Sequence, residues 1–243
     1  MKLLAIIPAY NEEKSIVSVV EAFTEAYPEY DYLIVNDGGH DRTLDICRAR
    51  GYRIVSLPIN LGLAGAFQTG MKYAYRNHYD VAIQLDGDGQ HLPEYIAPML
   101  DTLNEGYDIV VGSRFLNQRK PFTMRMLGSH LISFAIRITT GKKVTDPTSG
   151  MRMFNRAMIR EFAQELNHAP EPDTISYLLR HGLRLAEIPV RMQERMSGES
   201  YLTAMHSITY MLRMGISILL IQWFRGGAEI VHEKATVQEG AKS

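Results

Sequence analysis

The feature that most constrains this chain is a repeated alternation of short apolar runs with stretches of helical spacing. Residues 3–7, 32–35, 53–57, 81–85 and 108–111 read as strands. The first is continuously apolar (Leu3, Leu4, Ala5, Ile6, Ile7), as expected of a strand buried on both faces. Ile16, Val19, Val20 and Phe23 then follow at helical i, i+3, i+4, i+7 spacing. Further helices are expected over 41–50, 64–77 and 93–105, the last opening near Pro93. This rhythm predicts an α/β fold with a mostly parallel central sheet and helices on both faces. In such sheets ligands gather beyond the carboxyl ends of the strands, so the polar residues ending each strand are the first candidates for function.

The 243 residues suffice for one α/β domain and a short extension. Hydrophobic residues at 46% and charged residues at 22% supply a core and exclude a largely disordered chain. A formal net charge of −1 gives no overall basic field, so no nucleic-acid partner is expected. Cys47 is the single cysteine, which excludes an internal disulfide; its helical setting reads as core packing. The apolar run at the start stops at Pro8, which reads as a strand and not as a secretory leader. No stretch reaches the length of a membrane-spanning helix; the nearest is 214–224, bracketed by Arg213 and Arg225.

The strand ends read Pro8-Ala9-Tyr10-Asn11-Glu12, Asn36-Asp37-Gly38-Gly39, Asn60-Leu61-Gly62, Asp86-Gly87-Asp88 and Gly112-Ser113-Arg114. They bring carboxylates, glycines and an arginine to one edge, which suits a nucleotide diphosphate and a divalent cation. Asp86 and Asp88, two residues apart in an extended turn, can converge on one hard cation, with Gln90 offering a further carbonyl oxygen. Asp37 can accept from a base ring N–H, while Asp41 is placed to cap the following helix. The Gly-rich patterns of dinucleotide and P-loop sites are both missing.

The second half is less regular. Seven Lys or Arg and no Asp or Glu fall between residues 109 and 145. Residues 121–140 read as a helix, 146–150 as a loop, and 155–166 and 172–182 as helices. A strand over 184–190 and a polar loop over 196–203 follow. A nearly all-round apolar helix covers 205–224, which suits contact with a membrane surface or a partner better than the core. Three segments result: a domain over 1–204, the helical extension over 205–228, and a polar tail over 229–243 expected to be disordered.

The strand-end motifs, with Asp86-Gly87-Asp88-Gly89-Gln90-His91 at their centre, resemble those of family 2 glycosyltransferases of the GT-A fold. Gly112-Ser113-Arg114, Asp146-Pro147-Thr148-Ser149-Gly150-Met151-Arg152 and Arg195-Met196-Ser197-Gly198-Glu199-Ser200 resemble the dolichyl-phosphate mannose synthase-like branch, which includes bacterial polyprenyl-phosphate sugar transferases. The resemblance spans residues 2–202. It implies an inverting, metal-dependent transfer from a UDP-, GDP- or dTDP-sugar. Pro8, Tyr10, Glu12, Asp37, Asn60, Gly62 and Asp86 would hold the donor, with Arg195 and Ser200 closing over its diphosphate. Asp86, Asp88 and Gln90 would hold Mg²⁺ or Mn²⁺. Arg114 and Arg125, with Ser129 or His130 nearby, would meet the phosphate of a polyprenyl acceptor. Asn36 stands where the family usually has Asp, and Tyr201 where mannose synthases often have Lys.

A second reading keeps the donor chemistry but takes a saccharide hydroxyl as acceptor. That needs a general base, for which Glu171 and Asp173 are the candidates; Asp173 equally suits an N-cap or a lining role. A phosphate acceptor is already ionised and needs no base. On the first reading the protein is peripheral on the cytoplasmic face of a membrane, self-associating through its apolar helix or paired with a small membrane protein.

Overall fold

The computed structural model describes residues 1–118, 124–164, 169–193 and 204–220, with side chains omitted at 124–125 and 204–208. The expected alternation forms. Strands β1 (Leu3–Ala9), β2 (Asp31–Asn36), β3 (Ile54–Ser56), β4 (Val81–Gln84) and β5 (Ile109–Ser113) alternate with helices α1 (Ile16–Ala26), α2 (Thr43–Ala49), α3 (Gly62–Arg76) and α4 (Ile96–Asn104). A 3₁₀ turn over Pro93–Tyr95 leads into α4, since Pro93 has no amide to lose at a helix start. Then come α5 (Met124–Thr140), β6 (Arg152–Asn155), α6 (Arg156–Gln164), α7 (Pro172–Arg180), β7 (Leu185–Pro189) and α8 (Ala204–Leu219).

Among the described residues the strands form one seven-stranded sheet in the order β3-β2-β1-β4-β6-β5-β7. Every pairing is parallel except those of β6, which runs antiparallel to β4 and β5. This strand is not expected from the sequence. It is only four residues long and contains Arg152, which breaks the apolar run that marks its neighbours. Its insertion opens the sheet between β4 and β5 and carries the loop before it to the strand ends.

The sheet separates two cores. One face packs β1 and β2 against α3, α5, α6, α7 and α8; Phe67, Phe154 and Phe162 meet there with ring centroids 5.3 Å apart in each pair. The other buries Phe23, Ile34, Val110 and Met153 with α1, α2 and α4. Cys47 is fully buried in that second core as a free thiol, as its helical setting implied. Burial pushes the thiol up to about 11, so it stays protonated and inert at neutral pH.

One side of the last helix joins the core, where Met214, Ser217 and Ile218 of α8 are buried against the body. Leu212, Ile216, Leu219 and Leu220 remain exposed on its other side. No helix among the described residues is long and apolar enough to cross a membrane.

Candidate active site

The carboxyl end of β1 is where the edge begins. Pro8 sits in a central strand, where a missing amide normally breaks a ladder. Pairing of β1 with β4 ends at Ile6 and Gln84, so the amide Pro8 lacks faces a place that β4 has already left. Gly87 passes there instead: a Cβ on it would lie 2.9 Å from the Pro8 carbonyl oxygen. Asn11, with φ of 58°, takes a left-handed conformation that Asn tolerates better than most residues. Its side-chain oxygen accepts from the His40 amide at 2.8 Å, tying the loop after β1 to the loop after β2. Tyr10 is exposed, and the Glu12 carboxylate accepts from the Ser15 hydroxyl at 2.7 Å.

Asp37 is buried and accepts from the Leu61 amide at 2.8 Å, which fixes the 60–62 turn beside it. Asn60 folds its side-chain oxygen onto the Gly62 amide at 3.0 Å. Asp41 is not the cap of α2: that position belongs to Arg42, which makes no side-chain cap bond, and Asp41 stands one residue before it, accepting from the Thr43 amide of the first turn at 3.0 Å.

At the end of β4, Asp86 is partly open and Asp88 is 4% exposed. Asp88 accepts from the Gln90 amide at 3.0 Å, and the Gln84 side chain donates to Asp86 at 3.2 Å. The Asp86 amide donates to His91 Nδ1 at 2.9 Å, while His91 Nε2 lies 3.5 Å from the Asp86 carboxylate. Gln90 turns its amide nitrogen toward the Gln193 carbonyl at 3.3 Å. No cluster of three His, Cys, Asp or Glu forms among the described residues. Two hard carboxylate donors fit a Mg²⁺- or Mn²⁺-type ion that completes its shell with diphosphate oxygens and water.

Across the β6 insertion, Arg114 forms a two-pronged pair with Asp146: Nε to Oδ2 at 2.7 Å and Nη2 to Oδ1 at 2.8 Å. Nη2 also reaches the Thr148 hydroxyl at 3.1 Å. Asp146 is fully buried, so Arg114 is held rigidly at the edge. Glu187 of β7 anchors the same loop by accepting from the Thr145 and Asp146 amides at 2.7 and 2.8 Å.

The sequence reading assigned no role to Arg152, which organises this region. The side chain is 2% exposed and donates to three backbone carbonyls: Ser149 at 2.9 Å, Pro147 at 2.7 Å and Pro170 at 2.7 Å. Burial pulls its pKa below the ordinary guanidinium value, while Tyr210, Asp146, Asp86 and Glu171 act to support its charge. The loop it holds passes so close to Asp86 that a Cβ on Gly150 would lie 2.8 Å from a carboxylate oxygen. The signal in the sequence was a lone arginine within Met151-Arg152-Met153-Phe154.

The remaining candidates are placed unevenly. Ser129 is fully buried within α5, whereas His130 is exposed. Asp173 is not the cap of α7. That position belongs to Glu171, which makes no side-chain cap bond. Asp173 lies inside the first turn, is 6% exposed, and accepts from the Thr174 amide at 2.8 Å and the Ser217 hydroxyl at 2.7 Å. Arg195 and Ser200 lie outside the described residues, as does the Arg125 side chain.

The Gly150 contact yields a test. Gly150→Ala is expected to displace the Asp86 carboxylate while sparing the cores. The concentration of divalent cation needed to half-saturate the site should rise on the order of tenfold. A metal titration matching that of the unaltered chain would refute the placement of this loop against Asp86.

Comparison with known proteins gives consistent results. The family model described as glycosyl transferase family 2 matches residues 4–162. The chain is 32% identical to an undecaprenyl-phosphate mannosyltransferase of Micrococcus luteus, over 82% of this chain and 87% of that one. It is also 32% identical to a UDP-N-acetylglucosamine–dolichyl-phosphate N-acetylglucosaminyltransferase of Methanococcus voltae, over 76% and 83%. Among solved structures, glucosyl-3-phosphoglycerate synthase of Mycobacterium tuberculosis, in complex with Mn²⁺, UDP-glucose and phosphoglyceric acid, superposes with a TM-score of 0.68 at 20% identity. That likeness covers 93% of this chain and 81% of the other, and it establishes a shared fold.

Proposed function

The chain belongs to glycosyl transferase family 2, and from that premise we propose that it moves a sugar from a nucleotide-diphosphate sugar to the phosphate of a polyprenyl lipid, with inversion at the anomeric carbon. The fold is the GT-A fold expected from the sequence. The relatives of similar length act on undecaprenyl and dolichyl phosphates by name, and the site supports the same chemistry here.

The observation that carries the choice of acceptor is the state of Asp173. Both carboxylate oxygens accept hydrogen bonds from the chain's own groups, one of them the buried Ser217 hydroxyl. A general base for a sugar hydroxyl must be open to that hydroxyl. Asp173 is instead committed to joining α7 to α8. A lipid phosphate brings its own negative oxygen and requires no such base.

In this reading the donor lies across the ends of β1, β2 and β4. Asp37 and the 60–62 turn receive the nucleoside, with Pro8, Tyr10 and Glu12 beside them. Asp86 and Asp88, with Gln90 adjacent, would hold Mg²⁺ or Mn²⁺, which supplies positive charge to the departing diphosphate. Arg114, held in place by Asp146, presents its guanidinium edge to the acceptor phosphate. A phosphate oxygen forms the new bond to the anomeric carbon from the face opposite the nucleotide. The bond to the diphosphate breaks, and its electron pair leaves with the nucleoside diphosphate. Arg125 and the segment with Arg195 and Ser200 are assigned to the acceptor and donor phosphates by family likeness. The protein works at the cytoplasmic face of a membrane, where such lipids present their phosphates.

The test is a donor screen with undecaprenyl phosphate in detergent and Mn²⁺, reading labelled lipid. One donor should give an acid-labile glycolipid. Glu171→Gln and Asp173→Asn should each keep turnover within about tenfold of the unaltered chain. Loss beyond roughly a thousandfold in either variant would instead assign a catalytic base and a saccharide acceptor.

A further inference from the structure

His91 closes the run that begins at Asp86, and no step of the proposed transfer uses it. The residue is tied down from several sides. Its Nδ1 accepts from the Asp86 amide at 2.9 Å. Its backbone pairs with Met192 in an isolated antiparallel bridge, and beside it the Gln193 amide donates to the Gln90 carbonyl at 3.1 Å. The Gly150 loop lies against the ring, where a Cβ on Gly150 would stand 3.2 Å from His91 Cε1. The imidazole is a wedge between the end of β4, the Gly150 loop and the 192–193 segment.

These contacts fix the chemistry of the ring. A ring nitrogen that accepts from an amide carries a lone pair, so the proton of the neutral imidazole sits on the other nitrogen. Nε2–H is therefore the nitrogen that lies 3.5 Å from the Asp86 carboxylate. That is longer than an ordinary hydrogen bond, yet close enough for the N–H dipole to favour the charged oxygen. The other oxygen of the same carboxylate accepts from the Gln84 side chain at 3.2 Å. Both donors stand on the buried side: the His91 side chain is 2% exposed and Gln84 1%, against 32% for the Asp86 side chain. The carboxylate is oriented by the protein itself, with its open side left to the strand edge. The same arrangement keeps His91 out of a metal's shell, because its only free lone pair is taken by the Asp86 amide.

We infer that His91 is a positioning residue for the cation, one ring nitrogen pinning the backbone of Asp86 and the other steering its carboxylate. The role rests on the reading of Asp86 and Asp88 as metal ligands. A histidine kept for packing needs only volume; this one needs both nitrogens, in one tautomer.

Three substitutions separate these demands. Asparagine puts an oxygen near the place of Nδ1 and can accept from the Asp86 amide, but has nothing at Nε2. Glutamine reaches the Nε2 place with an N–H but leaves the amide without its acceptor. Phenylalanine fills the space and supplies neither. The test is a Mn²⁺ titration of the full chain without nucleotide, followed by the EPR signal of the free ion, beside a thermal melt. His91→Phe should weaken Mn²⁺ binding about tenfold or more. His91→Asn should recover most of that loss, since it restores the shorter contact, and His91→Gln a smaller part. Nitrogen NMR of the unaltered chain without metal should show the Nε2–H tautomer for His91, identified as the signal missing from His91→Asn. An Nδ1–H tautomer would overturn the inference. So would equal losses in all three variants, or unchanged Mn²⁺ binding in His91→Phe with a lowered melting midpoint, as a packing residue would give. Asp88→Ala, titrated alongside, separates this failure from that of the metal reading. Binding lost there and kept in His91→Phe removes only the role of His91; binding kept in both removes the metal site and this role with it.

Discussion

Asp88→Ala is expected to lower kcat by at least about a thousandfold, equivalent to roughly 4 kcal/mol of transition-state stabilisation. Asp88 is buried at the end of β4, where its Oδ1 accepts from the Gln90 amide. The carboxylate therefore has two roles, closing the turn and presenting negative charge toward the cation and diphosphate. Asp88→Asn separates them. Asparagine keeps an oxygen for the Gln90 amide but removes the charge. If charge governs catalysis, the Asn variant loses nearly as much turnover as the Ala variant while keeping the thermal midpoint. Turnover under saturating Mn²⁺, beside a thermal melt of each variant, decides this. Substantial activity in either variant would remove Asp88 from the site.

The sequence revealed this part of the site because its signal is local. Continuous apolarity marks a buried strand, its alternation with helices makes it parallel to its neighbours, and the residues that follow then emerge at the carboxyl edge. Asp37, Asp86, Asp88 and Arg114 were all found that way. The other side of the site is built from long-range contacts that no local pattern announces. Arg152 bonds to carbonyls on two separate loops, and Glu187 reaches back some forty residues to hold the Asp146 loop. β6 was hidden for a related reason. Antiparallel insertion between two strands requires a partner on each side and leaves no trace in four residues that include an arginine. In α8 apolar residues lie all round, and only packing shows that Met214 and Ile218 turn inward while Leu212 and Ile216 turn out.

Arg152→Met is the second large effect, expected in stability as well as rate. Methionine fills much of the volume but leaves the carbonyls of Pro147, Ser149 and Pro170 without their donor. Each unpaired buried acceptor costs about 1–3 kcal/mol. Part of that is returned, because the variant no longer removes a guanidinium from water, a cost visible in the depressed pKa of Arg152. A net loss of about 3 kcal/mol lowers the melting midpoint of a chain this size by roughly 10 °C. Turnover falls with it, since the loop that sets Gly150 against Asp86 and Thr148 against Arg114 is no longer held. Lysine at this position restores charge without the fork that spans carbonyls on both loops, so Arg152→Lys should recover only a minor share of either quantity. Recovery to the level of the unaltered chain by lysine would mean that charge alone matters. A full melting midpoint in Arg152→Met would show that the three carbonyls find other donors and that the arginine does not organise the loop. The contrast with Asp88→Asn gives the pair its discriminating power: one variant removes charge from a turn that persists, the other removes the support on which the opposite wall of the site is built.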